Sequence, residues 1–372
     1  MSDIAAEVSL SKMRPPPRAT TGPVGWAREN LFSSWTNTLL TLIGLYIAYV
    51  AISGALNWAF FHATWTGENG SACTRPMAGA CWPFVTAKFS QFMYGRYPEA
   101  YRWRVDLTYI LAVAGLVPLM IPWVRGKLYL TIYMVAIFPV VAFILLYGGL
   151  GLEKVPTELW GGLLVTLVVA SVGIAGAFPI GILLALGRRS KMPFVRWVSV
   201  CFIEFVRGVP LITVLFMASV MLPLFLPDGW TIDKLLRALI MVALFAAAYL
   251  AEVIRGGLQA IPRGQYEAAD ALGLTYPQKM GLIILPQALK LVIPGIVNTL
   301  IGLFKDTSLV LIIGLFDLLG IVQQNLTDSN WFSPNTAMTG YVFAGIVFWI
   351  FCFGMSRYSM FVERRLATGE RT

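Results

Sequence analysis

The chain has 372 residues, of which 58% are hydrophobic and only 13% charged, about half the charge of an ordinary globular domain. Its single histidine, His62, excludes HExxH zinc chemistry and any multi-histidine metal site, and no P-loop sequence is present through which this chain could bind ATP. The net charge of +9 comes from short basic clusters set between apolar runs, a pattern of membrane topology rather than of nucleic-acid binding.

Residues 1–35 open with a polar, Pro-rich stretch that includes Arg14-Pro15-Pro16-Pro17-Arg18 and read as a cytoplasmic tail rather than a cleaved signal. Apolar runs then lie near 36–61, 107–124, 128–150, 160–187, 197–226, 237–254, 288–304 and 337–359. Each approaches the length that crosses a bilayer as a helix, and their continuity is unlike the alternation of a barrel strand. The expected fold is an all-α integral membrane protein of about eight transmembrane helices. The second run carries Pro118 and Pro122, which a transmembrane helix tolerates when neighbours satisfy the freed carbonyls. With both termini inside, 18 of the 28 basic residues fall on the inner side, and the positive-inside rule then makes both termini cytoplasmic.

The first outer loop, 62–106, is rich in aromatic residues and reads as a small external cap. It holds Cys73 and Cys81, whereas Cys201 and Cys352 lie inside apolar runs. In an oxidising compartment a Cys73–Cys81 bridge would contribute about 2.5 kcal/mol by the chain-entropy relation. The alternative is two free, small side chains.

Two runs carry charges. Glu204 and Arg207 are three residues apart and share a helix face, with Gly208 and Pro210 directly after them. Ionisable residues within a membrane are costly and therefore candidates for function, so Glu204, Arg207 and Pro210 are candidates for a translocation path. The competing reading is an internal Glu204–Arg207 pair, or an arginine that snorkels to the interface. Lys305, Asp306 and Thr307 end the seventh run and offer both signs of charge to a zwitterion, or else cap the helix at the interface.

Between the sixth and seventh runs, Glu252 to Gly273 reads as helix, break and short helix, punctuated by Gly256, Gly257, Pro262 and Gly264. Tyr266, Ala269 and Leu272 recur at three-residue spacing, and Gly273 suits a left-handed helix stop. From Glu267 the residues Glu267-Ala268-Ala269, Gly273, Ile283 and Leu285-Pro286 resemble the EAA loop of ABC importer membrane subunits. The flanking stretches Ile203–Leu211 and Lys305–Leu309 are similar to those of polar amino-acid permeases. The resemblance covers about residues 158–367, and the N-terminal portion is similar to the larger permease subunit of general L-amino-acid importers in Gram-negative bacteria.

The resemblance implies a type I importer core of five helices in 151–372, preceded by three accessory helices in 36–150, with a cytoplasmic coupling loop at 255–287. Glu267, Ala268, Ala269, Leu272, Gly273, Ile283, Leu285 and Pro286 would couple the chain to an ATPase. The implied partners are two ATP-binding subunits that hold ATP and Mg, a homologous permease in a heterodimer, a periplasmic binding protein, an amino-acid substrate and inner-membrane lipid. No cofactor and no catalysis would belong to this chain. Two other classes compete. A self-sufficient secondary transporter needs inverted repeats and an ion site. A membrane-embedded enzyme needs a nucleophile–base or paired-Asp constellation.

Overall fold

A computed structural model describes residues 22–227 and 229–367; the tail over 1–21, Asp228 and residues 368–372 lie outside the described residues. All regular structure among the described residues is helical. Among the described residues seven helices are long and apolar enough to cross a membrane, and an eighth crossing can be made from two shorter helices bent 103° apart.

The described residues form two compact units. One holds the chain as far as Thr64 together with Arg75–Ala80. It contains α1 (Gly22–Asn30) and α2 (Trp35–Phe61). Ser34 caps α2 by accepting the Asn37 amide at 3.2 Å, and the Trp35–Leu56 stretch buries no residue. Such an all-round apolar helix belongs in lipid. At its end Ala80 N–H donates to the Trp58 carbonyl and Gly79 N–H to that of His62, both at 2.8 Å. A Cβ at position 79 would stand 2.1 Å from the Trp58 oxygen, so the return of the chain requires glycine there.

The other unit holds Trp65–Thr74 and the described residues from Cys81 onward. It contains α3 (Trp82–Tyr94), α4 (Glu99–Met120), α5 (Lys127–Tyr147), α6 (Leu163–Arg188), α7 (Pro193–Gly208), α8 (Leu211–Phe225) and α9 (Lys234–Ala260). After these come α10 (Arg263–Ala271), α11 (Leu285–Leu291), α12 (Ile293–Ile313), α13 (Leu318–Asn325) and α14 (Thr336–Ala367). The spine is α6 against α9. A Cβ added to Gly176 would lie 3.0 Å from Ala243 Cβ, and one on Gly181 would lie 2.9 Å from Leu250 Cβ. Hydrocarbon tails are as apolar as leucine, so spans associate through close packing of this kind rather than through a hydrophobic drive.

The loop over 62–106 is largely structured. Cys73 and Cys81 are joined by a disulfide with their Cα atoms 5.6 Å apart. Behind it Phe84 and Phe92 are fully buried and meet edge to face at 5.7 Å. Lys88 Nζ reaches Asp328 at 2.7 Å, and Cys81 N–H donates to Thr339 Oγ1 at 2.8 Å. This cap is therefore fastened to the segment before α14 and to the first turn of α14.

Three boundaries differ from the sequence expectation. The fifth run is two helices, because Val209 takes the extended conformation (φ −113°, ψ 136°) that a residue before proline favours, and Pro210 cannot continue the helix. The sixth span runs on to Ala260, so residues 255–260 of the expected coupling loop are helical. Gly256 and Gly257 punctuate nothing: Gly257 lets α9 approach the Ala288 carbonyl, which would lie 2.5 Å from an added Cβ. The seventh span does not end at Lys305–Thr307 but continues as a 3-10 turn to Ile313.

Candidate functional site

The charged residues of the fifth run converge where α6, α7 and α9 meet. Arg188 ends α6, Glu204 and Arg207 lie in the last two turns of α7, and Glu252 and Arg255 lie near the end of α9. Arg188 Nη1 is 2.7 Å from Glu204 Oε1 and 2.8 Å from Glu252 Oε1. The second contact is a charge contact outside hydrogen-bond alignment, so Glu252 Oε1 receives no hydrogen bond among the described residues. Glu252 Oε2 accepts Arg255 Nε at 3.0 Å and Nη2 at 2.8 Å, and Arg207 Nη1 stands 3.7 Å away. Arg207 also lies over the Tyr249 ring at 5.6 Å.

Glu204 and Arg207 thus turn to different helices rather than to each other, and Pro210 marks the bend just beyond them. Glu252 is the centre of the group, with three guanidiniums around one carboxylate. In the sequence Glu252 opens the connector, and Arg188 and Arg255 stand only among the 18 inner basic residues. A cluster of like charges at one end of a span was the only signal available.

The connector follows directly. After Ile261-Pro262, α10 is held against the bundle from several sides. Tyr266 Oη donates to the Leu258 carbonyl at 3.0 Å, and Arg189 Nη1 donates to the same oxygen at 2.6 Å. The Arg189 guanidinium also lies 5.6 Å from the centre of the Tyr266 ring. Asp270 is paired with Lys279, and Gln287 Nε2 donates to Gln265 Oε1 at 3.2 Å. Gly273 stops the helix with φ +69°, the left-handed conformation that costs glycine least.

The fixed helix has two sides. Ala269 is buried at 1% exposure, Tyr266 is half-buried, and Leu272, at 74%, is exposed along with Glu267 and Ala268. The three-residue spacing of Tyr266, Ala269 and Leu272 therefore does not make one face, because the helix ends at Ala271. Ile283 and Leu285 are half-buried and Pro286 is exposed at the start of α11.

Lys305 and Asp306 lie within α12, and neither makes a side-chain hydrogen bond or ion pair among the described residues. Thr307 is buried and donates to the Phe304 carbonyl at 2.7 Å. Nothing among the described residues links these three to Glu204 or Arg207 by hydrogen bond or ion pair. Among the described residues no group of three or more His, Cys, Asp or Glu side chains could hold a metal ion.

Residues 177–368 match the family described as binding-protein-dependent transport system inner membrane component. The chain is 56% identical over 360 residues, 96% of each chain, to the inner membrane amino-acid ABC transporter permease protein YhdY of Escherichia coli. It is 40% identical, over the whole of both chains, to the glutamate/glutamine/aspartate/asparagine transport system permease protein BztC of Rhodobacter capsulatus. A solved structure described as an amino acid ABC transporter with histidines is similar at 29% identity and a TM-score of 0.48, over 55% of this chain and 92% of that one. The chain belongs to the family of inner membrane components of binding-protein-dependent transport systems.

Proposed function

We propose that this chain is one permease subunit of an ATP-driven importer that passes amino acids from a periplasmic binding protein into the cytoplasm. Both termini and α10 are then cytoplasmic, and the disulfide-closed cap is periplasmic. Two separate subunits bind and hydrolyse ATP with Mg, and a homologous but distinct permease completes the channel. The basic residues gathered on the α10 side support this orientation. The relatives named as amino-acid permeases support the substrate class. On this reading residues 151–372 form the five-helix core and 36–150 add three accessory helices.

The observation that carries the reading is the two-sided connector helix. Energy released in a soluble ATPase reaches the membrane only by contact. Helix α10 exposes Glu267 and Ala268, with exposed Leu272 just after its end, while Tyr266 and Ala269 hold it to the bundle and Asp270 ties it to Lys279 of the segment that follows. Ala269 acts from the inward side, Gly273 sets where the helix stops, and Ile283, Leu285 and Pro286 carry movement into α11 and α12. The substrate path runs past Lys305, Asp306 and Thr307, where two opposite charges stand without ion-pair partners inside a span. Glu204, Arg207 and Pro210 flank the path at its cytoplasmic end, with Arg207 held ready by Glu252.

The test is Ala268→Trp and Glu267→Lys in the full importer. The expected result is unchanged membrane level and thermal unfolding of the permease, reduced retention of the ATPase on co-purification, and loss of uptake. Normal ATPase retention and uptake in both variants would remove the coupling assignment.

A further inference from the structure

A cleft of 510 Å³ opens beside the ionic cluster, lined by Arg188, Arg189, Arg196, Arg255, Gln259 and Val200. Four guanidiniums face one volume. The carboxylates near them are Glu204 and Glu252, and Arg207 leans on Glu252 as well, so five guanidiniums face two carboxylates and three positive charges are left over. The Arg196 backbone N–H donates to the Met192 carbonyl at 3.0 Å, but its guanidinium makes no hydrogen bond or ion pair among the described residues. The other three arginines are fixed by contacts that use only part of each fork: Nη1 of Arg188, Nη1 of Arg189, and Nε and Nη2 of Arg255. Arg188 and Arg189 keep Nη2 unpaired, and Arg255 keeps Nη1. A guanidinium has five N–H donors in a rigid planar fork. Holding one end of that fork leaves the other preset for a tetrahedral oxyanion.

The place of the cleft narrows the source of that anion. Arg196 and Val200 belong to α7, whose inner side buries Ser199, Ile203 and Val206. Its outer side exposes Phe194, Trp197, Val198, Cys201 and Phe205. Exposed apolar residues at positions 194, 197, 198, 201 and 205 make one helical stripe. A helix with such a stripe, a tryptophan near its start and arginine beside it lies in the interface, with its apolar side among acyl chains and its charges at headgroup depth. A basic pocket between transmembrane helices at that depth suits a lipid phosphate.

We propose that the arginine cleft between α6, α7 and α9 binds a phosphate group, carried there by the headgroup of an anionic phospholipid. A bound phosphate would offset part of the surplus charge and tie α7 to α9. The site shares Arg189 with the hold on α10 but does not rest on the coupling assignment, which can fail without it.

The test is native mass spectrometry of the purified full chain, delipidated and then titrated with phosphatidylglycerol, with phosphatidylcholine of the same acyl chains, or with soluble glycerol phosphate. The wild type is expected to retain phosphatidylglycerol over phosphatidylcholine. Arg196→Gln should weaken that preference about fivefold, near the contribution of one basic side chain at an anionic surface. Arg125→Gln, a basic loop residue outside the cleft, should leave it unchanged. Displacement by glycerol phosphate alone would support the phosphate site and assign it to a soluble ester instead of a lipid. Equal retention of both lipids with no response to glycerol phosphate, or equal effects of Arg196→Gln and Arg125→Gln, would overturn the proposal. So would a normal lipid preference in Arg196→Gln together with lowered retention of the ATPase when the same variant is co-purified in the full importer, since the arginines would then face a protein.

Discussion

Arg188 bridges to Glu204 across the turn between α6 and α7, Nη1 to Oε1 at 2.7 Å. The same nitrogen leans on Glu252 of α9, so one guanidinium joins three helices at the foot of the bundle. The two carboxylates differ in exposure, with the Glu204 side chain at 56% and that of Glu252 at 15%. Glu252→Gln should therefore cost about 1.5–3 kcal/mol, the range for a hydrogen bond to a charged group whose partners stay behind. Glu204→Gln should cost less than about 1 kcal/mol, as exposed pairs do. Unfolding midpoints of both variants in one detergent check the order; equal losses would mean that Glu252 is not the centre of the cluster.

Two adjacent glycines in α9 should respond in opposite directions. A Cβ at Gly256 meets nothing within 4 Å, whereas at Gly257 it meets the Ala288 carbonyl at 2.5 Å. Gly256→Ala is expected to stabilise the isolated chain by about 0.5–1 kcal/mol through the unfolded state and helix propensity. Gly257→Ala should destabilise it by about 1–3 kcal/mol, because backbone must move to admit the methyl group. Thermal unfolding of the pair decides the matter, and the same sign for both would refute the packing of α9 on α11.

Asp317 gives a pH dependence with a defined sign. It is fully buried, and burial lifts its carboxyl from 3.8 to about 6 even though the amides of Gly320 and Leu319 donate to it and pull the other way. The folded chain therefore holds this proton more tightly than the unfolded one. The stabilisation is complete below about pH 4 and is lost as pH rises through about 6. Asp328 has the opposite sign. Its hydrogen bond from Lys88 keeps its carboxyl below the usual range, so its contribution disappears only in stronger acid. Between pH 5 and 7 the unfolding midpoint should fall for the wild type and stay flatter for Asp317→Asn; parallel curves would remove Asp317 as the cause.

Reducing the Cys73–Cys81 bridge, or replacing both residues by serine, should lower stability by about 2.5 kcal/mol, as the closing of so short a loop implies. Non-reduced peptide mapping should recover Cys73 and Cys81 in one species, while Cys201, a free thiol, takes up a maleimide in the unfolded chain without reductant. Labelling of Cys73 or Cys81 under those conditions would contradict the bridge.

The spans and the elbow were legible in the sequence because their causes are local. Apolar length sets a crossing, and Gly208 and Pro210 set a break. The cysteines of the cap were legible for the same reason, but not its attachment to Thr339, which lies 258 residues from Cys81. Partner choice in the ionic cluster was hidden as well. Three-residue spacing says that Glu204 and Arg207 share a face, yet it cannot say that Arg188 and Glu252 oppose that face from other helices. The end of α9 was misplaced because charged and glycine residues at a helix foot look like a loop when the close approach of Ala288 is not visible.

The bend at Pro210 leaves α8 only from Leu211 to Phe225, about 22 Å at 1.5 Å per residue. The hydrocarbon layer is about 30 Å thick. With α7 lying in the interface, as proposed above, α8 crosses alone, and a lone copy of this chain then imposes a local thinning of the bilayer around it, with a strain that grows for every ångström of shortfall. Covering α8 with another protein surface removes that deformation altogether. Assembly of the transporter is in this respect favoured by the elasticity of the membrane, and thicker bilayers should strengthen it.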